Sequence, residues 1–296
     1  MKDYQLISDY KHIDAYKESF NDLAKLVFDL DFKEWYEQGY WNDNYICYSY
    51  IDDDRIVANV SVNKLVVVVG GVEYQALQIG TVMTHPDYRH QGLAAMLMDH
   101  VIHQYEQDYD LIYLFANRCA IQFYPKFGFE PIQESRFLLD SSHLKKKPTT
   151  PSALQKLSLN NPADLELMKQ FAAERIAVSS TLGVKNQEHL TMFYLILAFS
   201  DAIYYIQDED VIVLFEQEDK ELHVLDIISK RKVAIDTILP YIITDDIETV
   251  HFSFTPDMNI EGIQTELITD SDDLLFVRPV LNNFPTHFLF PITSHA

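Results

Sequence analysis

The sequence predicts an α+β fold built from two units of similar pattern, and three observations carry that prediction. Between residues 45 and 84 three strand-like runs follow one another across short turns, as antiparallel neighbours do. A helical pattern over 93–105 then leads back to strand character at 111–116. The same order of strand, acidic turn, strand, strand, helix and strand returns in the second half, from Ala202 to Phe254.

The elements follow in chain order. Residues 13–28 carry apolar side chains at helical spacing, and the aromatic stretch FKEWYEQGYW ends that pattern. Strands are expected over 45–51, 55–69 and 73–84, where β-branched and aromatic residues dominate, with breaks at Asp52–Asp54 and at Gly70–Gly71. In the next segment Leu93, Ala94, Leu97, Val101 and Tyr105 share one helical face. LIYLFA is a strand, RCAIQFYPKF a short helix and GFEPIQESRFLL a further strand. Ser, Thr, Pro and Lys concentrate in DSSHLKKKPTTPSA, which reads as a linker and divides the chain into residues 1–148 and 149–296. Beyond it lie two amphipathic helices, the first opened by Asn161 and Pro162, and then strands again.

Composition narrows the function. A length of 296 residues suits two domains that each bury a core. No apolar run approaches the roughly 20 residues of a membrane span, and MKDYQLISDY lacks the pattern of a signal peptide, so a cytoplasmic protein is expected. The net charge of −22 argues against nucleic acid and favours a cationic partner, although solubility alone also explains it. Cys47 and Cys119 have no Cys/His cluster around them and read as reduced thiols. His85, His90 and His100 lack ligand spacing, and no metal is expected.

Chemistry concentrates in TVMTHPDYRHQGLAAML. A strand that ends at Thr84, a proline turn and a helix that opens near Leu93 leave backbone N–H groups pointing together at a positive helix end, which suits an anion. Gly92 lets an oxygen approach the main chain, Ala94 keeps the next turn narrow, and Arg89 adds charge or fixes the loop. An ordinary strand-to-helix turn with one glycine has the same local pattern.

The run resembles the acetyl-CoA signature of the GCN5-related N-acetyltransferases (GNAT), Arg/Gln-x-x-Gly-x-Gly/Ala, in Arg89, Gly92 and Ala94 after a strand end with Val82, Thr84 and Pro86. A second family motif follows in order, with Asn117 after a strand, a helical turn from Ala120 to Tyr124, and Phe127–Gly128–Phe129 entering another strand. The resemblance covers residues 45–137 and implies a GNAT fold, a mixed and mostly antiparallel sheet flanked by helices. It implies acetyl-CoA held by the main chain of Val82, Met83 and Thr84 and by the loop Arg89, His90, Gln91, Gly92, Leu93 and Ala94. Tyr124 would protonate the departing thiolate, and Asn117 would bind the pantetheine arm or position its helix.

The implied reaction is transfer of an acetyl group to a primary amine of a small molecule or peptide by direct attack, since no cysteine sits beside a base. The base is left open among Glu34, Glu37, Asp43 and Glu73, and Trp35, Tyr36, Tyr40 and Trp41 either line an acceptor pocket or pack. Self-association is also left open. In the second half the corresponding loop reads Ser229–Lys230–Arg231–Lys232, without glycine, so this GNAT-like unit is expected to lack a CoA site. That arrangement is similar to two-domain acetyltransferases of the enhanced-intracellular-survival type, whose further C-terminal domain this sequence is too short to hold in full. In those relatives the chain terminus can contribute to the active site, and whether FPTHFLFPITSHA does so is left open. A non-catalytic acetyl-CoA sensor or interaction module on the same scaffold is the competing reading.

Overall fold

Two mixed sheets form the frame, each mostly antiparallel, in a computed structural model that describes residues 4–143, 154–257 and 261–296. The first half runs β1 (Gln5–Ser8), α1 (Asp14–Phe28), α2 (Lys33–Glu37), β2 (Tyr45–Asp52), β3 (Arg55–Val69), β4 (Val72–Thr84), α3 (Leu93–Tyr105), β5 (Leu111–Asn117), β6 (Glu130–Ile132) and β7 (Ser135–Asp140). The second runs β8 (Leu154–Lys156), α4 (Pro162–Glu174), β9 (Leu182–Lys185), α5 (Glu188–Phe193), β10 (Ile203–Ile206), β11 (Val211–Glu218), β12 (Glu221–Ser229), α6 (Ile235–Ile242), β13 (Thr249–Phe252), β14 (Ile263–Leu267) and β15 (Asp273–Arg278).

Local chemistry explains most of these bounds. Asp53, at φ 53°, takes the left-handed turn between β2 and β3, a conformation Asp tolerates through its short polar side chain. Gly70 and Gly71, at φ 58° and 78°, turn β3 into β4. The Asn161 side chain accepts a hydrogen bond from the Ala163 amide and Pro162 opens α4, as the sequence predicts.

The two halves repeat element for element, apart from the added β9. In each sheet an antiparallel hairpin is followed by a helix and one parallel strand: β3–β4–α3–β5, then β11–β12–α6–β13. Their last strands are exchanged. β15 from the second half lies between β5 and β6 in the first sheet, and β7 from the first half lies between β13 and β14 in the second. The halves therefore do not separate at one point in the sequence, and most of the expected linker falls outside the described residues.

This exchange corrects the expectation of one strand in GFEPIQESRFLL. The segment breaks at Gln133–Glu134, with β6 in one sheet and β7 in the other. Nor is RCAIQFYPKF a helix. It is a series of turns ending in a 3₁₀ turn over Tyr124–Phe127, with Pro125 near its start.

On one side of the first sheet α3 buries Leu97, Met98 and Val101 against Val57, Val60 and Leu114. On the other side Phe20, Trp35 and Trp41 share a core with Phe171, Met192 and Leu195 of the second half. Both cysteines are free thiols, Cys47 buried and Cys119 exposed. No helix among the described residues is long and apolar enough to cross a membrane.

Candidate active site

A gap between two strands creates the site. β4 and β5 pair in parallel only over Ala76–Gln78 and Leu111–Tyr113. Beyond those residues they separate, and Ile79–Val82 face Phe115–Asn117 across a cavity of roughly 510 Å³.

A β-bulge sets the direction of β4 at this point. The register with β3 shifts between Asn59 and Ser61, and Thr81 takes φ 42°, a strained conformation for a β-branched residue. Half-buried hydrogen bonds hold it there. Asn59 Nδ2 donates to the Thr81 carbonyl at 2.9 Å, the Thr81 hydroxyl donates to Ser61 at 2.6 Å, and it also meets Tyr45 Oη at 2.9 Å. Ser49 in turn donates to Asn59 Oδ1 at 2.8 Å. Strain of this order is kept where surrounding contacts fix it, commonly at a functional site.

Of the residues singled out from the sequence, Val82, Asn117 and Tyr124 line this cavity. Met83 is buried in the core beneath β4, so only its main chain is available to a ligand. The Asn117 side chain accepts from the Ala120 amide at 3.1 Å and so fixes the turn that carries Tyr124. Tyr124 packs against Phe123, Phe129 and Phe276. Burial pushes its hydroxyl up to about 12, so it holds its proton at neutral pH.

The loop over 89–92 and the start of α3 lie next along the chain, outside the cavity lining. Arg89 Nε donates to the Thr84 carbonyl at 3.3 Å, which ties the loop to the strand end. His90 and Gly92 have φ 63° and 80°. Gly92 is the N-cap residue of α3, and nothing lies within 4 Å of where its Cβ would be. Glycine is thus favoured here by its φ and not by crowding. The first hydrogen bond of the helix runs from the Met96 amide to the Gly92 carbonyl, at 3.0 Å. Among the described residues no side chain caps the amides before it, which leaves a helix N-terminus suited to phosphate. Gln91 is exposed and accepts from Tyr4 Oη at 2.9 Å, Leu93 is buried, and Ala94 is half-buried.

None of the carboxylates considered as a base reaches the cavity. Glu73 pairs with Lys185 at 2.6 Å, about 30 Å of strand away from Val82. Glu37 and Asp43 pair with Lys33 and Lys11, and Glu34 is on the exposed side of α2. Of the four aromatics, Trp35 lines the cavity, while Tyr40 and Trp41 are buried packing residues.

Further lining comes from distant segments: Leu190, Phe193 and Tyr194 after β9 and Asp273 at the start of β15, which sequence reasoning did not find, and Ile292, His295 and Ala296 of the stretch FPTHFLFPITSHA, whose part the sequence leaves open. His295 stacks on Phe115 with ring centroids 3.7 Å apart. Burial lowers its pKa to about 4, so the ring is neutral. Desolvation and the neighbouring Asp272 raise the Asp273 carboxyl.

The equivalent gap in the second sheet is filled. β12 pairs with β13 over Glu221–Val224 and then continues to Ser229 paired with β11 alone. Residues 289–293 run beside it, with the Ile292 amide bonded to the Ser253 carbonyl at 2.9 Å and Thr293 to the Asp226 carboxylate. In the following turn Lys230 pairs with Asp210, Arg231 with the Glu209 carbonyl and Lys232 with Asp257.

Residues 10–132 match the family model described as an acetyltransferase (GNAT) domain. A probable N-acyltransferase from Enterococcus faecalis V583 has the same fold at 17% identity and TM-score 0.62, over 94% of this chain and 72% of that one. A GCN5-related N-acetyltransferase from Anabaena variabilis (17% identity, TM-score 0.57, 93% and 72%) and Eis1 from Mycobacterium abscessus (12%, 0.57, 92% and 72%) have a similar fold. No curated protein matches the sequence. The open β4–β5 gap beside an uncapped helix start thus lies within the segment that matches an acetyltransferase (GNAT) domain, and the chain as a whole shares the fold of these structures.

Proposed function

We propose that the protein is an acetyl-CoA-dependent N-acetyltransferase that acts on a primary amine in a ternary complex. The observation that carries this reading is Tyr124, a protonated phenol in the wall of the gap between β4 and β5.

The residues present suit acetyl-CoA. The uncapped amides at Leu93 and Ala94, with open space above Gly92, suit its pyrophosphate. The main chain of Val82–Thr84, with no strand paired to it on the side facing β5, suits the amides of its pantetheine arm as an added strand would. When bound, acetyl-CoA supplies the acetyl group as a thioester. Tyr124 holds the proton that the departing thiolate needs, and Asn117 keeps the Tyr124 turn in place. The acceptor side of the cavity is aromatic, with Phe32, Trp35, Phe115, Phe193 and Tyr194, and Asp273 adds a carboxylate. That combination favours an amine on an apolar body, as does the net charge of −22. Asp273 and His295 are the two side chains in the wall able to take the proton that the amine loses.

Titration with acetyl-CoA, followed by a thiol-release assay across polyamines, aminoglycosides, amino acids and peptides, tests the proposal. Saturable binding that Gly92→Glu weakens at least tenfold, with thiol release on some of the amines, is expected. Absence of acetyl-CoA binding overturns it.

A further inference from the structure

We propose that Glu221, His223 and His251 form a binding site for a divalent transition metal of the zinc class, on the face of the second sheet away from α6. The spacing Glu221-x-His223 puts both side chains on one face of β12. In the parallel pairing of β12 with β13, His223 lies directly opposite His251. The three donor atoms consequently gather within 4.8 Å of one another.

The distances suit a shared cation. Glu221 Oε2 is 3.5 Å from His223 Nε2 and 3.3 Å from His251 Nε2. Ligands held at 2.0–2.1 Å from a tetrahedral zinc ion are about 3.3–3.4 Å apart. Hydrogen bonding accounts for them less well, because His251 Nε2 is buried and has no hydrogen-bond partner among the described residues. The imidazole rings stack nearly parallel, 4.6 Å between centroids and 21° between planes, a geometry that disfavours two imidazolium charges.

The surroundings leave room for a fourth ligand. A cavity of roughly 240 Å³ opens beside the histidines, bounded by Arg136, Ser253 and Phe290. Glu216 and Glu218 on β11 stand opposite His223 and Glu221, and their charge favours a cation. Arg136 is engaged by Asp270. Three protein ligands with an open position define a site that exchanges its metal or takes a further ligand, in contrast to a closed structural one.

The test is calorimetric titration of the chelator-treated, tag-free full chain with ZnCl₂, in a Cys119→Ser background that removes the exposed thiol. One equivalent is expected to bind, and cobalt(II) in its place should give the visible absorption of a four-coordinate ion. His223→Asn and His251→Asn should each weaken binding at least tenfold, while His103→Asn on α3 leaves it unchanged. Should either histidine variant unfold, Glu221→Gln serves in its place and is expected to weaken binding at least tenfold. Failure to bind one equivalent, or binding that survives loss of these side chains, overturns the proposal.

Discussion

Gly80 and Ala296 are in contact: a Cβ on residue 80 would lie 2.9 Å from the Ala296 Cβ and 3.0 Å from its carbonyl carbon. Real side chains do not pack so closely, so any larger residue at position 80 must displace residue 296 from the cavity wall. Ala296 is exposed, which keeps the stability cost of Gly80→Val modest, about 1–3 kcal/mol. Acetyl transfer is expected to fall at least tenfold, because the wall between β4 and β5 changes shape. Steady-state kinetics beside a thermal melt check this. Wild-type turnover in a folded Gly80→Val protein would show that the position of Ala296 does not matter to the reaction.

That contact also marks the limit of what the sequence discloses. The strands over 45–84 and the helix over 93–105 are legible because alternation, an Asp-rich turn and a Gly-Gly turn are local signals. That Asn117 and Tyr124 come together in one wall is legible because a short motif falls in order around those elements. The break between β6 and β7 is not, since it depends on which sheet offers a free edge, a matter decided by residues more than a hundred positions away. The same holds for β15 and for Phe193 and Asp273 in the cavity wall. No local pattern tells a hexapeptide such as DLLFVR which strands it will join.

The pair Arg175–Asp226 should be the most sensitive polar contact in the second half. Both side chains are almost wholly buried, and the guanidinium donates to the carboxylate at 2.8 and 3.1 Å. Thr293 donates to the same carboxylate. Asp226→Asn leaves a buried cation without its counter-charge and is expected to destabilise the fold by about 3–5 kcal/mol. Thr293→Val, which removes one donor to a charged acceptor, should cost about 1.5–3 kcal/mol. Urea unfolding measures both, and a double-mutant cycle should show coupling between them. An Asp226→Asn midpoint equal to that of the wild type would refute the assignment.

Tyr124→Phe separates chemistry from binding. The ring packs unchanged and the proposed proton donor is lost, so kcat should fall by roughly 10²–10⁴-fold, with acetyl-CoA affinity within about threefold of the wild type. With its pKa pushed up to about 12, Tyr124 remains protonated throughout the usual assay range. Any alkaline decline in rate below about pH 10 must then come from another group, and it should persist in the residual activity of Tyr124→Phe. Unchanged turnover in the variant would remove the general-acid role.

Glu134 makes stability depend on pH in the opposite sense to most carboxylates. It lies at the crossing from β6 to β7, where Oε1 accepts the Phe290 amide at 2.8 Å. Burial raises its pKa to about 7 against an ordinary 4.5. Between those two values the unfolded chain releases the proton while the folded chain keeps it. This group's contribution to stability is therefore complete below about pH 4.5, declines as pH rises toward 7, and is constant above that. The change is on the order of 2 kcal/mol for a partly screened group. Glu134→Gln keeps the shape and an acceptor for Phe290 and removes the titration. Chemical denaturation at intervals from pH 4.5 to 8 should show the variant gaining stability relative to the wild type as pH rises. Parallel profiles for the two proteins would mean that Glu134 is ionised in the fold, with the Phe290 amide and local solvent offsetting its burial.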